Sequence, residues 1–245
     1  MPRPESIENR WDILYREYPE VYEAFMNVSY QPSVFDQVPE IIDFHGKIIA
    51  DVGAGTGRSS LALARTARQV IGIEYEPAML RQARQKAVGD EASQVLYLSG
   101  NALAMPLADN SVDIVTGFTL ALFPAEQYRE FICEGLRVAK GEVVYVGIPP
   151  GWYGGDLDNV IENPYKGTID VDMDRIFIEE YQFAYQDVFS NQEYGTIEKI
   201  VGIYGFIFGK KVIEQAKKQL SSRKNERIIH RYKGRGRFLH HPKVA

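Results

Sequence analysis

The residues best suited to chemistry in this chain surround three glycines, Gly53, Gly55 and Gly57, in the segment DVGAGTG. Glycines at alternate positions allow a backbone to turn tightly and to approach a ligand closely. The dinucleotide-binding fingerprint places its third glycine three residues after the second, and this chain has Arg58 at that position. The loop therefore fits a pyrophosphate site poorly, and a nucleoside without a phosphate fits it better.

Two acidic residues accompany the glycine loop. Asp51 lies two residues before Gly53, and Glu74 ends the apolar run VIGIE. A carboxylate beside the loop would repel a diphosphate and attract a cation. An acid about twenty residues past such a loop commonly accepts hydrogen bonds from ribose hydroxyls. A nucleoside that carries a positive charge suits both acids, and S-adenosylmethionine is such a nucleoside.

Alternating apolar runs and helical patterns predict the elements that position the loop. Five largely apolar runs predict strands, at residues 47–53, 69–74, 95–101, 112–118 and 141–149. Helical patterns separate most of these runs, which favours right-handed crossovers and a parallel sheet. We expect the α/β class, with a doubly wound, mostly parallel seven-stranded sheet of the Rossmann-like kind and helices on both faces.

The chain contains no repeat and no Pro/Gly/Ser-rich linker, so we expect one domain over residues 1–245. It is predicted to begin with a helical lead-in or lid (1–44), followed by a cofactor-binding core (45–150). A loop or small insertion (151–178) and C-terminal strands with a helix (179–245) complete it. The lead-in helix is expected to break at Pro19. In the C-terminal part, the sequence predicts a helix over roughly 195–220 between strands at 183–189 and 227–239. These two strands would extend one edge of the sheet, and at least one of them is expected to be antiparallel.

Basic residues concentrate late in the sequence. Residues 210–243 hold twelve Lys and Arg against two Glu, although the whole chain has a formal net charge of -5. Such a surface could bind an anionic partner such as RNA or a lipid headgroup. The segment RIIHRYKGRGRFL alternates basic and apolar residues as an ordinary strand does. We therefore favour a solvated helix face and a charged edge strand.

In their order, the segments of the core resemble one known family, the class I S-adenosylmethionine-dependent methyltransferases, and most closely the ubiquinone/menaquinone-biosynthesis C-methyltransferases. They are DVGAGTG, VIGIEY, SGNALAMPLADNSVD, VDIVTGF and LRVAKGEVVYVGIP. The resemblance implies that the glycine loop holds the methionine part of S-adenosylmethionine, Glu74 its ribose, and Tyr75 and Asn101 its adenine. The implied cofactor-binding residues are Asp51, Gly53, Ala54, Gly55, Thr56, Gly57, Glu74, Tyr75, Asn101, Ala102 and Phe118.

Methyl transfer from a sulfonium is an in-line displacement that leaves a neutral thioether, so orientation can supply most of the rate effect. No His-containing pair suggests a general base, and the catalytic residues stay unassigned. We also expect no metal, because DVDMDR opens like a calcium loop but Arg175 and Tyr181 replace that loop's glycine and final acid. Side chains that could meet an acceptor are Tyr15, Tyr18, Phe118, Phe123, Trp152, Tyr153 and Asp156.

The sequence thus predicts an enzyme that transfers a methyl group from S-adenosylmethionine to a small or medium-sized acceptor. Three alternatives stay open: an RNA methyltransferase that uses the basic C-terminal segment, a non-catalytic S-adenosylmethionine-binding module, and a nicotinamide-dependent oxidoreductase. The glycine spacing and Asp51 disfavour the oxidoreductase. The segment TGFTLALFP lacks the D/N-P-P-aromatic sequence of methyltransferases that act on DNA amino groups, so we expect a small-molecule partner rather than a nucleic acid.

Composition adds expectations about the location of the protein. No apolar run approaches the roughly 18 residues that a membrane span needs, and the first residues do not resemble a signal peptide. We therefore predict a cytoplasmic protein without a membrane span, and the oligomeric state stays open. The only cysteine, Cys133, lies in the apolar stretch REFICEGL and is expected to be buried.

Overall fold

Strands and helices alternate along the chain in the computed structural model, as the apolar runs predict. The residues that the structure describes are 10–29, 32–89, 91–120, 122, 126–147, 154–155, 173–198, 201–202, 205, 210–223 and 228–240. No helix in these ranges combines the length and the apolar character needed to cross a membrane.

The strands are β1 (Ile48–Val52), β2 (Gln69–Glu74), β3 (Val95–Ser99), β4 (Val112–Phe118), β5 (Ala139–Gly147), β6 (Gly154–Gly155), β7 (Ala184–Gly195) and β8 (Ile228–His240). The α-helices are α1 (Arg10–Glu17), α2 (Pro19–Ser29), α3 (Pro32–Ile41), α4 (Arg58–Ala64), α5 (Pro77–Lys86), α6 (Gln127–Val138) and α7 (Lys210–Gln219). A π-helical turn spans Arg175–Glu180, and short 3-10 turns span Glu91–Gln94 and Ser221–Arg223.

The strands form one sheet in the order β3-β2-β1-β4-β5-β8-β6, with β7 also paired to β8. The strands β1 to β5 are mutually parallel. The strand β8 is antiparallel to its three neighbours. The predicted α/β class and doubly wound sheet are confirmed. Among the described residues the sheet has eight strands rather than seven, because the two-residue β6 joins β8.

Both faces of the sheet are covered, which explains why its strands are almost continuously apolar. Ile49, Ile114 and Val144 share one face with the buried side chains of α3 and α4. Ala50 and Val115, one position further along, share the opposite face with α6. The helices therefore hold β1 and β4 side by side in the middle of the sheet, and the loops after these two strands open at the same edge.

The last strand, β8, lies inside the sheet and not at its edge. On one side β5 pairs with residues 235–240, and on the other β7 pairs with residues 228–238. The expectation of a charged edge strand at 227–239 is therefore wrong, because β7 lies outside β8. The two additional strands are present as predicted, and β8 is the antiparallel one.

In the described part of residues 10–47, three helices precede the sheet. The helix α2 begins at Pro19, so α1 and α2 are separated at the predicted break. The helix α1 lies against α5, α2 lies against α5 and β7, and α3 lies against α4 and β7. The lead-in therefore packs over the helices that follow the glycine loop.

The residue Cys133 is exposed on α6, with its Sγ 3.4 Å from the Tyr181 hydroxyl. The expectation of a buried cysteine is wrong. Phe131, Ile132 and Gly135 form the buried side of this helix, and Cys133 falls on the opposite side at the helical period.

Candidate functional site

The glycine loop follows β1 at the edge where the parallel strands end. The backbone N–H groups of Gly53 and Ala54 donate to Ile73 O at 2.9 and 3.1 Å, which ties the loop to the neighbouring strand. All three loop glycines have positive φ, and that of Gly57 is +86°. A Cβ added to Gly57 would lie 2.3 Å from the hydroxyl oxygen of Tyr97. Glycine is therefore required here by conformation and by space.

Asp51 lies beneath the loop and is completely buried. Its Oδ2 accepts hydrogen bonds from Ser59 Oγ and Ser60 Oγ at 2.7 and 2.6 Å, and its Oδ1 accepts one from Thr116 Oγ1 at 3.1 Å. Burial raises the pKa of Asp51, and these hydrogen bonds oppose the rise. The expectation that this carboxylate faces a cationic ligand needs correction, because its side chain fastens the start of α4 to β1 and β4 instead.

The raised pKa of Asp51 gives a pH-dependent prediction. An acid with a raised pKa in the folded state contributes stability below its unfolded pKa, and this contribution is lost as the pH rises through the folded value. Asp51→Asn removes that titration. We expect the wild type to exceed Asp51→Asn in unfolding free energy by more at about pH 4 than at about pH 7. Urea denaturation at both pH values measures this, and a constant or reversed difference would contradict it.

Glu74 joins the glycine loop to the end of β2. Its Oε2 accepts a hydrogen bond from Gly55 N at 2.8 Å, and its Oε1 accepts one from Glu76 N at 2.7 Å. The side chain is half-buried. Burial raises the pKa of Glu74, and hydrogen bonds from the backbone oppose that rise. Each carboxylate oxygen keeps acceptor capacity beyond the one N–H named here.

The two residues expected near an adenine lie just beyond β2 and β3. Tyr75 is 74% exposed. Asn101 is also exposed, and its Oδ1 accepts a hydrogen bond from Leu103 N at 2.9 Å. Glu74 of β2 pairs with Ser99 of β3. Asn101 comes two residues after Ser99 and therefore lies just beyond Glu74 at the same edge of the sheet. The sheet therefore places Glu74, Tyr75 and Asn101 along one edge.

A small open cleft adjoins the glycine loop. The predicted residues that line it are Gly53, Ala54, Thr56 and Phe118. Residues that were not predicted as site residues also line it, namely Tyr22, Met26, Arg58, Ser59 and Thr119. Tyr22 and Met26 belong to α2, so the lead-in supplies one wall. The loop and β4 supply the rest.

The segment after β4 is held by buried hydroxyls. Thr119 lines the cleft with φ of +50°, an uncommon conformation for a non-glycine residue. The hydroxyls of Tyr128 and Tyr145 both donate to Leu120 O, at 2.9 and 3.1 Å. The Leu122 N–H in turn donates to the Tyr128 hydroxyl at 3.3 Å. The backbone of this segment is thereby anchored to α6 and β5.

The lead-in is fastened to the loop by Glu23 of α2. Its Oε2 accepts a short hydrogen bond from Thr56 Oγ1 and lies 2.6 Å from Lys86 Nζ. Its Oε1 lies 3.5 Å from a guanidinium nitrogen of Arg58. Burial acts to raise the pKa of Glu23, but the hydrogen bonds and charges of these partners hold it below its usual value. Glu23 was not predicted, because an acid within a helical pattern normally indicates a solvated face.

The structure reaches only part of the predicted acceptor side. Tyr15 packs edge-on against Tyr22 with ring centroids 5.2 Å apart, and Tyr18 is 39% exposed. The first half of the segment DVDMDR, residues 170–172, lies outside the described residues. No group of three or more His, Cys, Asp or Glu side chains within the described part could hold a metal ion. Four acceptor candidates also lie outside the described residues, namely Phe123, Trp152, Tyr153 and Asp156.

Comparisons with known proteins agree with this arrangement. The family model described as "Methyltransferase domain" matches residues 49–142, which include the glycine loop, Glu74 and Phe118. A demethylmenaquinone methyltransferase of Thermobifida fusca is 29% identical over 136 residues, which cover 56% of this chain and 54% of that protein. Another, from Oceanobacillus iheyensis, is 31% identical over 169 residues, covering 60% and 65%. The predicted similarity to menaquinone-type enzymes is confirmed.

Solved structures support the fold. The crystal structure of a putative methyltransferase from Bacillus halodurans matches with a TM-score of 0.55 and 21% identity, covering 85% of this chain and 99% of that one. The chain spans about half the length of the first curated relative. The methyltransferase-domain match, the curated relatives and the fold agree. Residues 49–142 match a methyltransferase domain, and the chain is similar to methyltransferases over a larger part of its length.

Proposed function

We propose that this chain transfers the methyl group of S-adenosylmethionine to a small or medium-sized acceptor, with residues 1–245 acting as one methyltransferase domain. The observation that carries the proposal is the hydrogen bond from the Gly55 N–H to Glu74, which joins the glycine loop to the end of β2. The match of residues 49–142 to a methyltransferase domain supports the same reaction. A cytoplasmic location and a small-molecule partner are parts of the proposal.

The polar groups at this edge fit a nucleoside. Each oxygen of Glu74 has capacity for one more donor, which matches the two hydroxyls of a ribose. The Oδ1 of Asn101 can accept a second hydrogen bond from an exocyclic amine. Tyr75 is exposed at the end of β2 and offers a ring against which a base can lie. Asp51 contributes indirectly, by fixing the loop that carries Gly53 and Gly55.

S-adenosylmethionine, when bound, supplies a methyl group made electrophilic by a sulfonium. The contribution of the chain is to hold and orient the reactants and to exclude water, which can supply about 7–11 kcal/mol of the barrier reduction. Phe118 and Met26 give the cleft apolar surface for this purpose. A general base is needed only where the acceptor loses a proton as it attacks, and we assign none.

The acceptor belongs to the proposal alone. Relatives named demethylmenaquinone methyltransferase make demethylmenaquinone the first compound to test. The presence of Met26 and Phe118 in the cleft is in keeping with an acceptor that carries apolar surface.

Calorimetry and a transfer assay test the function. We expect the chain to bind S-adenosylhomocysteine and not NAD, and to transfer labelled methyl from S-adenosylmethionine to demethylmenaquinone or to a component of a metabolite extract. Binding of NAD alone would overturn the proposal in favour of an oxidoreductase. Tight binding without transfer to any compound would favour a non-catalytic module. Transfer to RNA, with binding that weakens steeply with salt, would favour the RNA alternative.

A further inference from the structure

Glu23 connects segments of the chain that are distant in the sequence. It lies on α2, and its partners are Thr56 in the glycine loop, Arg58 at the start of α4 and Lys86 at the end of α5. Its side chain is 19% exposed, so water screens these contacts only in part. The carboxylate therefore acts where lead-in, loop and core meet.

The same contacts border the proposed cofactor cleft. Thr56 and Arg58 line the cleft, and so do Tyr22 and Met26, which lie on either side of Glu23 in α2. A ring carbon of Tyr22 would lie 3.9 Å from a Cβ placed on Gly55. A change in the position of α2 would thus move one wall of the cleft, and a change in the loop would move the partners of Glu23.

The charges make the attachment specific to an acid at this position. Glu23 carries one negative charge against the two positive charges of Arg58 and Lys86. Without Glu23, Arg58 and Lys86 would lose the anion that they share, and the Thr56 hydroxyl would lose this acceptor. An acid here therefore stabilises one arrangement of loop and helix over others.

We propose that Glu23 is a positioning residue that couples the docking of α2 to the conformation of the glycine loop, so that an occupied cleft and a docked α2 stabilise each other. The identity of the occupant rests on the proposed function. The coupling between α2 and the glycine loop does not rest on the proposed function, because it is a property of the ligand-free chain.

Hydrogen exchange of the full chain, with and without S-adenosylhomocysteine, tests the coupling. The variants are Glu23→Gln and Glu23→Ala, with Glu20→Gln as the control, because Glu20 is exposed on the same helix. In ligand-free Glu23→Ala we expect exchange to rise about tenfold in residues 19–29 and also in residues 53–58. Affinity for S-adenosylhomocysteine should fall by a similar factor, and Glu20→Gln should match the wild type within about twofold.

A double-mutant cycle separates coupling from a local structural role. Thr56→Val removes the hydroxyl at nearly constant shape, and in a Glu23→Gln background we expect its effect on affinity and on loop exchange to be much smaller than in the wild type. If Glu23→Gln and Glu23→Ala change exchange in α2 alone and leave the loop and the affinity as in the wild type, the coupling is wrong. If the wild type binds no S-adenosylhomocysteine, the proposed function fails, and the ligand-free exchange at both segments still decides the coupling.

Discussion

Glu74→Ala should lower the affinity of the chain for S-adenosylhomocysteine by at least about a hundredfold. The substitution removes the acceptors that we assign to two ribose hydroxyls, and it leaves the Gly55 N–H without its partner at 2.8 Å. Hydrogen bonds to a charged group contribute about 1.5–3 kcal/mol each, and about 2.7 kcal/mol corresponds to a hundredfold change. Isothermal titration calorimetry measures this effect.

The controls for Glu74 separate binding from folding. Glu74→Gln keeps the size and one carbonyl acceptor, so we expect an intermediate loss of affinity. Glu179→Ala removes an exposed acid on the π-helical turn and should leave affinity unchanged. The midpoint temperature of thermal unfolding should be only a few degrees lower in Glu74→Ala than in the wild type. A loss of about 1 kcal/mol shifts the midpoint of a chain this size by about 2–4 °C. Wild-type affinity in Glu74→Ala would rule out the ribose assignment.

Gly57→Ala should destabilise the fold by about 3 kcal/mol. A left-handed backbone costs a non-glycine residue about 1–2 kcal/mol, and overpacking of a buried site adds about 1–3 kcal/mol. The new Cβ would lie 2.3 Å from the Tyr97 hydroxyl, in a region where Tyr97 is 5% exposed. We expect the unfolding midpoint to fall by about 6–12 °C, measured by circular dichroism or calorimetry.

A matched pair of variants isolates the two causes. Gly89 also has positive φ, +98°, but a Cβ there would meet nothing within 4 Å. Gly89→Ala should therefore show the backbone cost alone, about 1–2 kcal/mol. Tyr97→Phe removes the oxygen nearest to the added Cβ, so it should recover part of the stability lost in Gly57→Ala. Equal losses in Gly57→Ala and Gly89→Ala would mean that the contact with Tyr97 adds nothing.

The core of the fold could be predicted because its signals are local. The strands β1 to β5 are apolar runs bounded by polar residues or glycine, and each predicted run lies within a few residues of the observed strand. The positions of Gly53, Gly57 and Glu74 at one edge follow from the parallel order of those strands. The count of eight strands could not be predicted, because a two-residue strand such as β6 has no periodicity to detect.

The wall contributed by α2 could not be predicted, because it depends on how a helix docks onto a loop about thirty residues later. Tyr22 and Met26 read as ordinary apolar positions of an amphipathic helix. Glu23 reads as a solvated acid beside them. The burial of Asp51 was missed for a related reason: the sequence shows hydroxyl residues in α4 and β4, but not that three of them turn toward one carboxylate.

The placement of β8 has a consequence for how the sheet is completed during synthesis. The strands β5 and β7 are made well before their common neighbour, and Glu142 finds its register partner only when His240 has been added. Until then both strands keep unpaired backbone groups along one side, an arrangement that promotes aggregation. Pairing across such a long stretch of chain is also slow to form. A chain shortened before residue 228 would lack the strand that pairs with both β5 and β7.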